Sequence, residues 1–179
     1  MFTPLPNTRA PLQEDSGFLE RTFADQRAPL FRYASRLLGD PDRARDVVQD
    51  TFVKLMAQPP TAINGHTVEW LFTVCRHRAL DVLRKENRMK RFEEGQMERM
   101  AGLDEHPGRA LEQAETTETI LHLIERLPEN QQEVVRLKFQ NGFSYNEISR
   151  ITELSVGNVG FLIHTAVNRL RMEFAAQRP

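Results

Sequence analysis

A single cysteine, Cys75, occurs among 179 residues, so no internal disulfide can form and a reducing, cytoplasmic setting is expected. No apolar run approaches the length needed to cross a bilayer, and the first residues lack the pattern of an export signal; membrane insertion is not expected. The five histidines (His66, His77, His106, His122, His164) do not cluster with cysteine or carboxylate at metal-ligand spacing. A glycine-rich phosphate cradle and a nucleophile motif are both missing. His77 and Asp81 stand one turn apart, which reads as a surface helix pair. The chain is therefore not expected to be an enzyme, and no metal or other cofactor is expected. Internal repeats, low-complexity tracts and strand-like alternation are absent as well. With a net charge of −1, there is no global basic field either.

What is present is helical periodicity and an uneven distribution of charge. Hydrophobic residues make up 40% of the chain, enough for one medium domain or two small ones. Seven Arg or Lys side chains fall between Arg76 and Arg91, against Asp81 and Glu86. Between Glu93 and Glu118 the balance reverses, with eight acidic residues against Arg99 and Arg109. A basic helix followed by an acidic segment containing Gly and Pro reads as a nucleic-acid surface joined to a solvated linker. A solvated helix face is the plainer alternative for the basic run.

The predicted architecture is all-α, two small helical bundles joined by a flexible acidic linker. Residues 1–17 carry three prolines and no periodicity, and read as a flexible tail. The first bundle spans 18–92. Its first helix, 18–38, places Leu19, Phe23, Leu30, Ala34 and Leu37 on one face. Gly39-Asp-Pro-Asp42 then breaks one helix and starts another, with Asp40 as the cap and Pro41 in the first helical position. Ala44, Val47, Val48, Thr51, Phe52, Leu55 and Met56 follow at helical spacing as a buried stripe. Asp46, Gln49 and Asp50 lie opposite, an acidic and amide edge open to a partner. After a loop over 58–66, a long helix runs from Thr67 to about Met89. The expected core is Phe23, Leu30, Phe52, Trp70 and Val74, with Trp70 read as core and not as a stacking surface. Cys75 joins the apolar stripe of Leu71, Val74, Ala79, Val82 and Leu83. The linker is placed at 93–115, with a weak helix near Ala110 to Ala114, and the second bundle at 116–176.

The second bundle opens with helices over 117–127 and 128–140, closed by Gly142. The most informative stretch follows, Phe143 to Leu170. Ser144 and Glu147 form an S-x-x-E capping box, and Phe143 and Ile148 sit where a hydrophobic staple would clamp the helix start. Ile148 and Ile151 face inward, Leu154 lies just after a short turn, and Val159 and Leu162 return on a second helix capped by Ser155. Ser155, Asn158, Phe161 and His164 are left on its outer side, the arrangement of a DNA-binding helix-turn-helix. A well-capped helical hairpin is the bland alternative.

The two halves together resemble a known family. Arg43-Ala-Arg-Asp-Val-Val-Gln-Asp-Thr-Phe52 resembles region 2.2 of bacterial sigma-70-family factors. Trp70-Leu-Phe72 with Arg76, Asp81 and Arg84 is similar to regions 2.3 and 2.4, and Leu127-Pro128 through Arg171 is similar to region 4. Room for domains two and four only is the layout of the extracytoplasmic function (ECF) group. The resemblance implies an RNA polymerase sigma factor that recognises −10 and −35 promoter elements and directs initiation. It implies as partners core RNA polymerase, with its β′ clamp helices on region 2 and its β flap on region 4, promoter DNA, and an anti-sigma factor. By the same resemblance Asp46, Gln49 and Asp50 grip the polymerase through charge-assisted hydrogen bonds. Thr61 and Asn64 hold a flipped −10 base, and Arg76, Arg84, Lys85 and Arg88 neutralise phosphates.

For the −35 element the resemblance implies the helix from Ser155, with Gly157, Asn158, Gly160, Phe161 and His164 at the groove. The glycines permit close backbone approach; Asn158 suits adenine and Phe161 a thymine methyl. Lys138, Arg150, Arg169 and Arg171 supply phosphate contacts. Several positions depart from the pattern. Arg45 replaces an acidic residue, His77 stands where relatives carry Asn, and Gly160-Phe161 replaces basic or hydroxyl residues. Two other classes remain open. A one-component helix-turn-helix regulator would share only the C-terminal half, and a sigma mimic acting through protein sequestration would keep the shape without the DNA contacts.

Overall fold

The computed structural model describes residues 11–59, 65–93 and 113–176. Seven helices and no strand occur among the described residues, and the chain divides into two compact units between Phe92 and Glu93.

In the first unit, α1 (Pro11–Leu38) is followed by α2 (Pro41–Met56) and α3 (Thr67–Glu93). Helix α1 begins seven residues ahead of the start expected from periodicity, so the tail over 1–17 is helical from Pro11 onward, and its first ten residues lie outside the described ones. A proline opening a helix is compatible with its missing amide and fixed φ, and a helix start need not carry apolar periodicity to be helical. Pro29 sits inside α1, where it has no N–H to offer the carbonyl of Asp25. At the other end Gly39 takes φ +64° and its amide donates to Ser35 O at 2.9 Å, stopping the helix with a left-handed residue. Asp40 then accepts from the amides of Asp42 and Arg43 at 2.9 and 3.2 Å, so the expected cap forms in front of Pro41.

The core of this unit gathers Leu30, Tyr33, Ala34 and Leu38 from α1 with Ala44, Val47, Val48, Thr51, Phe52 and Leu55 from α2. Helix α3 contributes Leu71, Phe72, Cys75 and Ala79. The Tyr33 and Phe72 rings meet at 5.2 Å between centroids, tilted, and tie α1 to α3. Thr51 is fully buried and satisfies its hydroxyl by donating to Val47 O at 2.7 Å. Phe23, expected inside, is 45% exposed; its ring leans on Phe52 at 4.7 Å as a lid over the core edge. Met56 is 63% exposed, because the inward stripe of α2 ends at Leu55 and the next residue turns outward. Trp70 and Val74 are only half-buried. The inward face of α3 is set one residue on, at Leu71 and Cys75.

The second unit holds α4 (Gln113–Glu125), α5 (Glu129–Phe139), α6 (Tyr145–Thr152) and α7 (Val156–Ala176). Helix α4 starts at Gln113, ahead of the expected 117, and the linker residues 94–112 lie outside the described ones. Ile124, Leu127, Val135 and Ala166 form one buried cluster, with Leu170 packed against it. Val134, Leu137, Ile148, Ile151 and Val159 are fully or almost fully buried beside it. Pro128 precedes α5, and Gln132 Nε2 reaches back to the carbonyls of Glu125 and Leu127 at 2.9 and 2.8 Å, satisfying the end of α4.

Burial pushes the Cys75 thiol up to about 12 from an ordinary value near 9.0, with a smaller opposing effect from the Thr51 hydroxyl. The native protein should therefore resist thiol-directed alkylation that the unfolded chain undergoes readily near about pH 8. The sign of the linkage is also fixed. Below the unfolded value both states hold the proton. As pH climbs from about 9 toward 12 only the unfolded chain ionises, and stability falls. Urea melts over that range should lose less stability in Cys75→Ala than in the native sequence.

Candidate nucleic-acid and polymerase interfaces

Helix α2 is two-sided. Opposite its core stripe, Asp46 and Gln49 are exposed, as the periodicity demands. Val53, 52% exposed, and Met56 extend the same face at i+4 and i+7 from Gln49. An acidic–amide edge thus runs into an apolar one, a continuation missed from sequence because Met56 fitted the core spacing. Asp50 is placed differently. It is partly buried at the α2–α3 seam in an ion pair and hydrogen bond with Arg78 of α3. Arg43 makes a second ion pair across the seam with Glu86, while its Nε lies 3.1 Å from Asp40. Arg45, the departure from the family pattern, turns to Asp42 at 2.7 Å.

The outward stripe of α3 carries Trp70, His77, Asp81, Arg84 and Arg88, spaced by whole turns, with Lys85 beside them. Arg84, Lys85 and Arg88 are exposed; Arg76 is half-buried at the stripe's flank. Arg84 pairs with Asp81 at 3.1 Å, an exposed contact that competing phosphates can displace at little cost. Trp70 belongs to this face and not to the core. Thr61 and Asn64 lie outside the described residues. Gly65 closes the gap before α3 with φ +82°.

The helix-turn-helix is built as the caps require. Ser144 accepts from the Glu147 amide at 3.3 Å and the Glu147 carboxylate accepts from the Ser144 amide at 2.7 Å, a reciprocal box of the kind worth about 1 kcal/mol. Phe143 and Ile148 are both buried. Glu153 ends α6 at φ +61°, and Ser149 Oγ donates to Leu154 O at 2.6 Å across the turn. Ser155 Oγ then accepts from the Asn158 amide at 3.2 Å and caps α7. Val159 and Leu162 turn inward; Gly157, Asn158, Phe161 and His164 are exposed. His164 Nε2 and Asn168 Nδ2 are hydrogen-bonded at 2.9 Å.

Two −35 assignments look different in three dimensions. Gly160 does not face open groove: a Cβ there would lie 3.6 Å from the Tyr145 ring of α6. Gly157 is open, with nothing within 4 Å of such a Cβ. Lys138 is half-buried; its Nζ donates to Phe143 O at 3.2 Å and sits 5.5 Å from the Tyr145 ring centroid. That ammonium closes the α5–α6 turn, made possible by Gly142 at φ +76°. Arg169 pairs with Glu173 at 2.9 Å one turn on, while Arg171 is exposed. Among the described residues no helix is long and apolar enough to cross a membrane.

Comparison with known proteins matches this layout. The model of Sigma-70 region 2 covers residues 23–89, and that of Sigma-70, region 4 covers residues 117–170. The ECF RNA polymerase sigma factor SigL of Mycobacterium tuberculosis is 27% identical over 164 residues, 88% of this chain and 89% of its own. The ECF RNA polymerase sigma factor EcfG of Rhodopseudomonas palustris is 30% identical over 145 residues, 80% of this chain and 76% of its own. The sigma factor RpoE of Bartonella quintana, solved in complex with the anti-sigma factor NepR, shares the fold at a TM-score of 0.67 and 23% identity, over 91% of this chain and 99% of that one. Matches to Sigma-70 region 2 and region 4, in this order, identify a factor for transcription initiation and not an enzyme. The chain belongs to the ECF RNA polymerase sigma factors.

The placement of Lys138 yields a test. Lys138→Ala should destabilise the second unit by about 1 kcal/mol, the net value of one hydrogen bond. It should leave the salt dependence of promoter binding unchanged. A phosphate-neutralising lysine would instead lower the slope of log K against log salt by about one when removed.

Proposed function

We infer that this chain binds core RNA polymerase through the outer face of α2, engages the −10 element through the loop before α3 and the basic stripe of α3, and places α7 in the −35 major groove. The observation that supports this reading is the division of labour on each helix. α2, α3 and α7 each complete a core on one side and present, on the other, a set of side chains outside that core. On α2 the exposed set is acidic and apolar, suited to a basic helical partner such as the β′ clamp helices. On α3 it is cationic with Trp70 at its head, suited to single-stranded DNA, where phosphates are neutralised and a base stacks. Thr61 and Asn64 would face the flipped base, and Arg76, Arg84, Lys85 and Arg88 the backbone. Phosphate contacts beside the −35 groove fall to Arg150 and Arg171, with Arg169 recruited from Glu173.

The first unit, through Phe92, would carry the polymerase and −10 surfaces, and the second, whose helices begin at Gln113, the −35 surface and the contact with the β flap. The setting is the cytoplasm, and the regulatory partner an anti-sigma protein, the kind of partner with which the Bartonella relative was solved. The decisive experiment adds the purified full-length chain to core polymerase and maps transcripts on genomic DNA. Initiation at defined promoters supports the reading, whereas polymerase binding without initiation points to a sigma mimic.

The polymerase edge can be dissected because its residues differ in their internal duties. Asp46→Lys and Met56→Ala should each weaken core binding about tenfold while leaving the melting curve in place, since neither side chain supports the fold. Asp50→Lys should lower stability as well as binding, because it sets a second cation against Arg78. Unchanged core binding in the folded Asp46→Lys and Met56→Ala variants would locate the edge elsewhere.

A further inference from the structure

We propose that α7 reads its −35 element as A·T pairs, Phe161 covering a thymine C5-methyl group and Asn158 pairing with an adenine edge, with no contact that specifies guanine. This deepens the inferred promoter-reading role of the second unit and rests on it.

Four observations converge. First, Phe161 is 66% exposed on the outer face of α7, one turn beyond the open Gly157. Helix side chains lean toward the N-terminus, so its ring covers the leading end of the helix, the end that meets base edges in helix-turn-helix proteins. A large ring left there by the protein's own packing is apolar surface available to a methyl group, and thymine alone presents one in the major groove. Second, that leading end is apolar beyond Phe161, with Val156 44% exposed at the first helical position. Third, the Asn158 side-chain amide takes part in no hydrogen bond among the described residues, while its backbone amide is already held by Ser155 Oγ. A free carboxamide in the groove offers one donor and one acceptor, the complement of adenine N7 and N6.

The fourth observation is exclusion. Guanine is specified by a bidentate Arg or Lys on O6 and N7. Between Ile151 and Asn168 the sequence has neither. Of the neighbouring cations, Lys138 is held at Phe143 O, Arg150 lies on α6, and Arg169 and Arg171 stand about three turns beyond Asn158 on α7, where they are assigned to phosphates. His164 is joined to Asn168 farther along the helix. Cytosine would need a carboxylate, and none occurs from Leu154 to Met172. Tyr145, lying across Gly160, fills the flank where a longer side chain at position 160 would otherwise reach out.

The test uses holoenzyme assembled from the full-length chain and a promoter library randomised at −35. The expected selection is enriched in A·T pairs. Replacing a selected thymine by deoxyuridine, which deletes only the methyl group, should weaken holoenzyme binding about fourfold, the worth of one buried methyl. Phe161→Ala should lose a similar amount on thymine and show no further loss on uracil, the signature of a direct pair in a mutant cycle. Asn158→Ala should likewise erase the penalty of 7-deaza-adenine. Substituting 7-deazaguanine at any −35 guanine should change nothing. A selection dominated by G·C pairs, or a Phe161→Ala loss equal on thymine and uracil templates, would overturn the proposal while the sigma function stands. Failure of the wild-type holoenzyme to select any promoter would instead overturn the function on which it rests.

Discussion

A tight turn between helices must stop one helix and start another within a few residues without leaving backbone groups unsatisfied, and the second unit meets that demand twice, over five residues before α6 and three before α7. The first time, the α5–α6 turn is closed by Gly142 in the left-handed region, by the Lys138 ammonium on the Phe143 carbonyl, and by the Ser144–Glu147 box. The second time, Glu153 takes the left-handed position, Ser149 holds the Leu154 carbonyl, and Ser155 receives the Asn158 amide. Each device uses a side chain for a backbone group, so the polar residues of these turns are occupied before any DNA arrives. What remains free to meet DNA is decided by subtraction. Lys138, a cation beside α7, already has a backbone partner, whereas at Asn158 the backbone and not the side chain is held.

The same logic of prior engagement applies in the first unit, through charge instead of caps. The α2–α3 seam is crossed by Arg43–Glu86 and Asp50–Arg78, and by the Thr51 hydroxyl at the Cys75 thiol. These pairs are partly exposed, so their individual contributions to stability are small. They follow the rotation of α3 against α2 that burial of its apolar face sets. With that rotation set, Leu71, Phe72, Cys75 and Ala79 face inward, and the Trp70–Arg88 stripe is presented outward as a continuous surface.

Much of this was legible in the sequence because it depends on local rules. Caps at Asp40, Ser144 and Ser155, the breaks at Gly39 and Gly142, and the inward positions of α2, α6 and α7 follow from spacing and turn chemistry within a few residues. Most of the misplacements trace to tertiary context. Met56 and Trp70 are apolar and sit at the margin of a plausible stripe; which margin is buried depends on where the neighbouring helix crosses, and no local pattern carries that. Charge alone points Asp50 and Lys138 outward, but each has an intramolecular partner brought near only by the fold. The start of α1 at Pro11 was missed because its first residues are helical without apolar periodicity.

Charge placement then constrains how such a protein can hold a promoter. Nonspecific affinity comes from phosphate neutralisation, and this chain concentrates its cations on α3, not on the reading helix. A recognition helix without lysine or arginine contributes little to counterion release, so its base contacts add discrimination more than strength. Discrimination built on a methyl contact and one amide pair is modest in energy, which suits a unit that need not bind DNA alone. If polymerase and the cationic face of α3 hold the promoter as inferred, a modest −35 preference suffices to choose among sites already engaged. The net charge of −1 gives the chain no global basic field for indiscriminate DNA binding, which leaves discrimination to local surfaces such as α3 and α7.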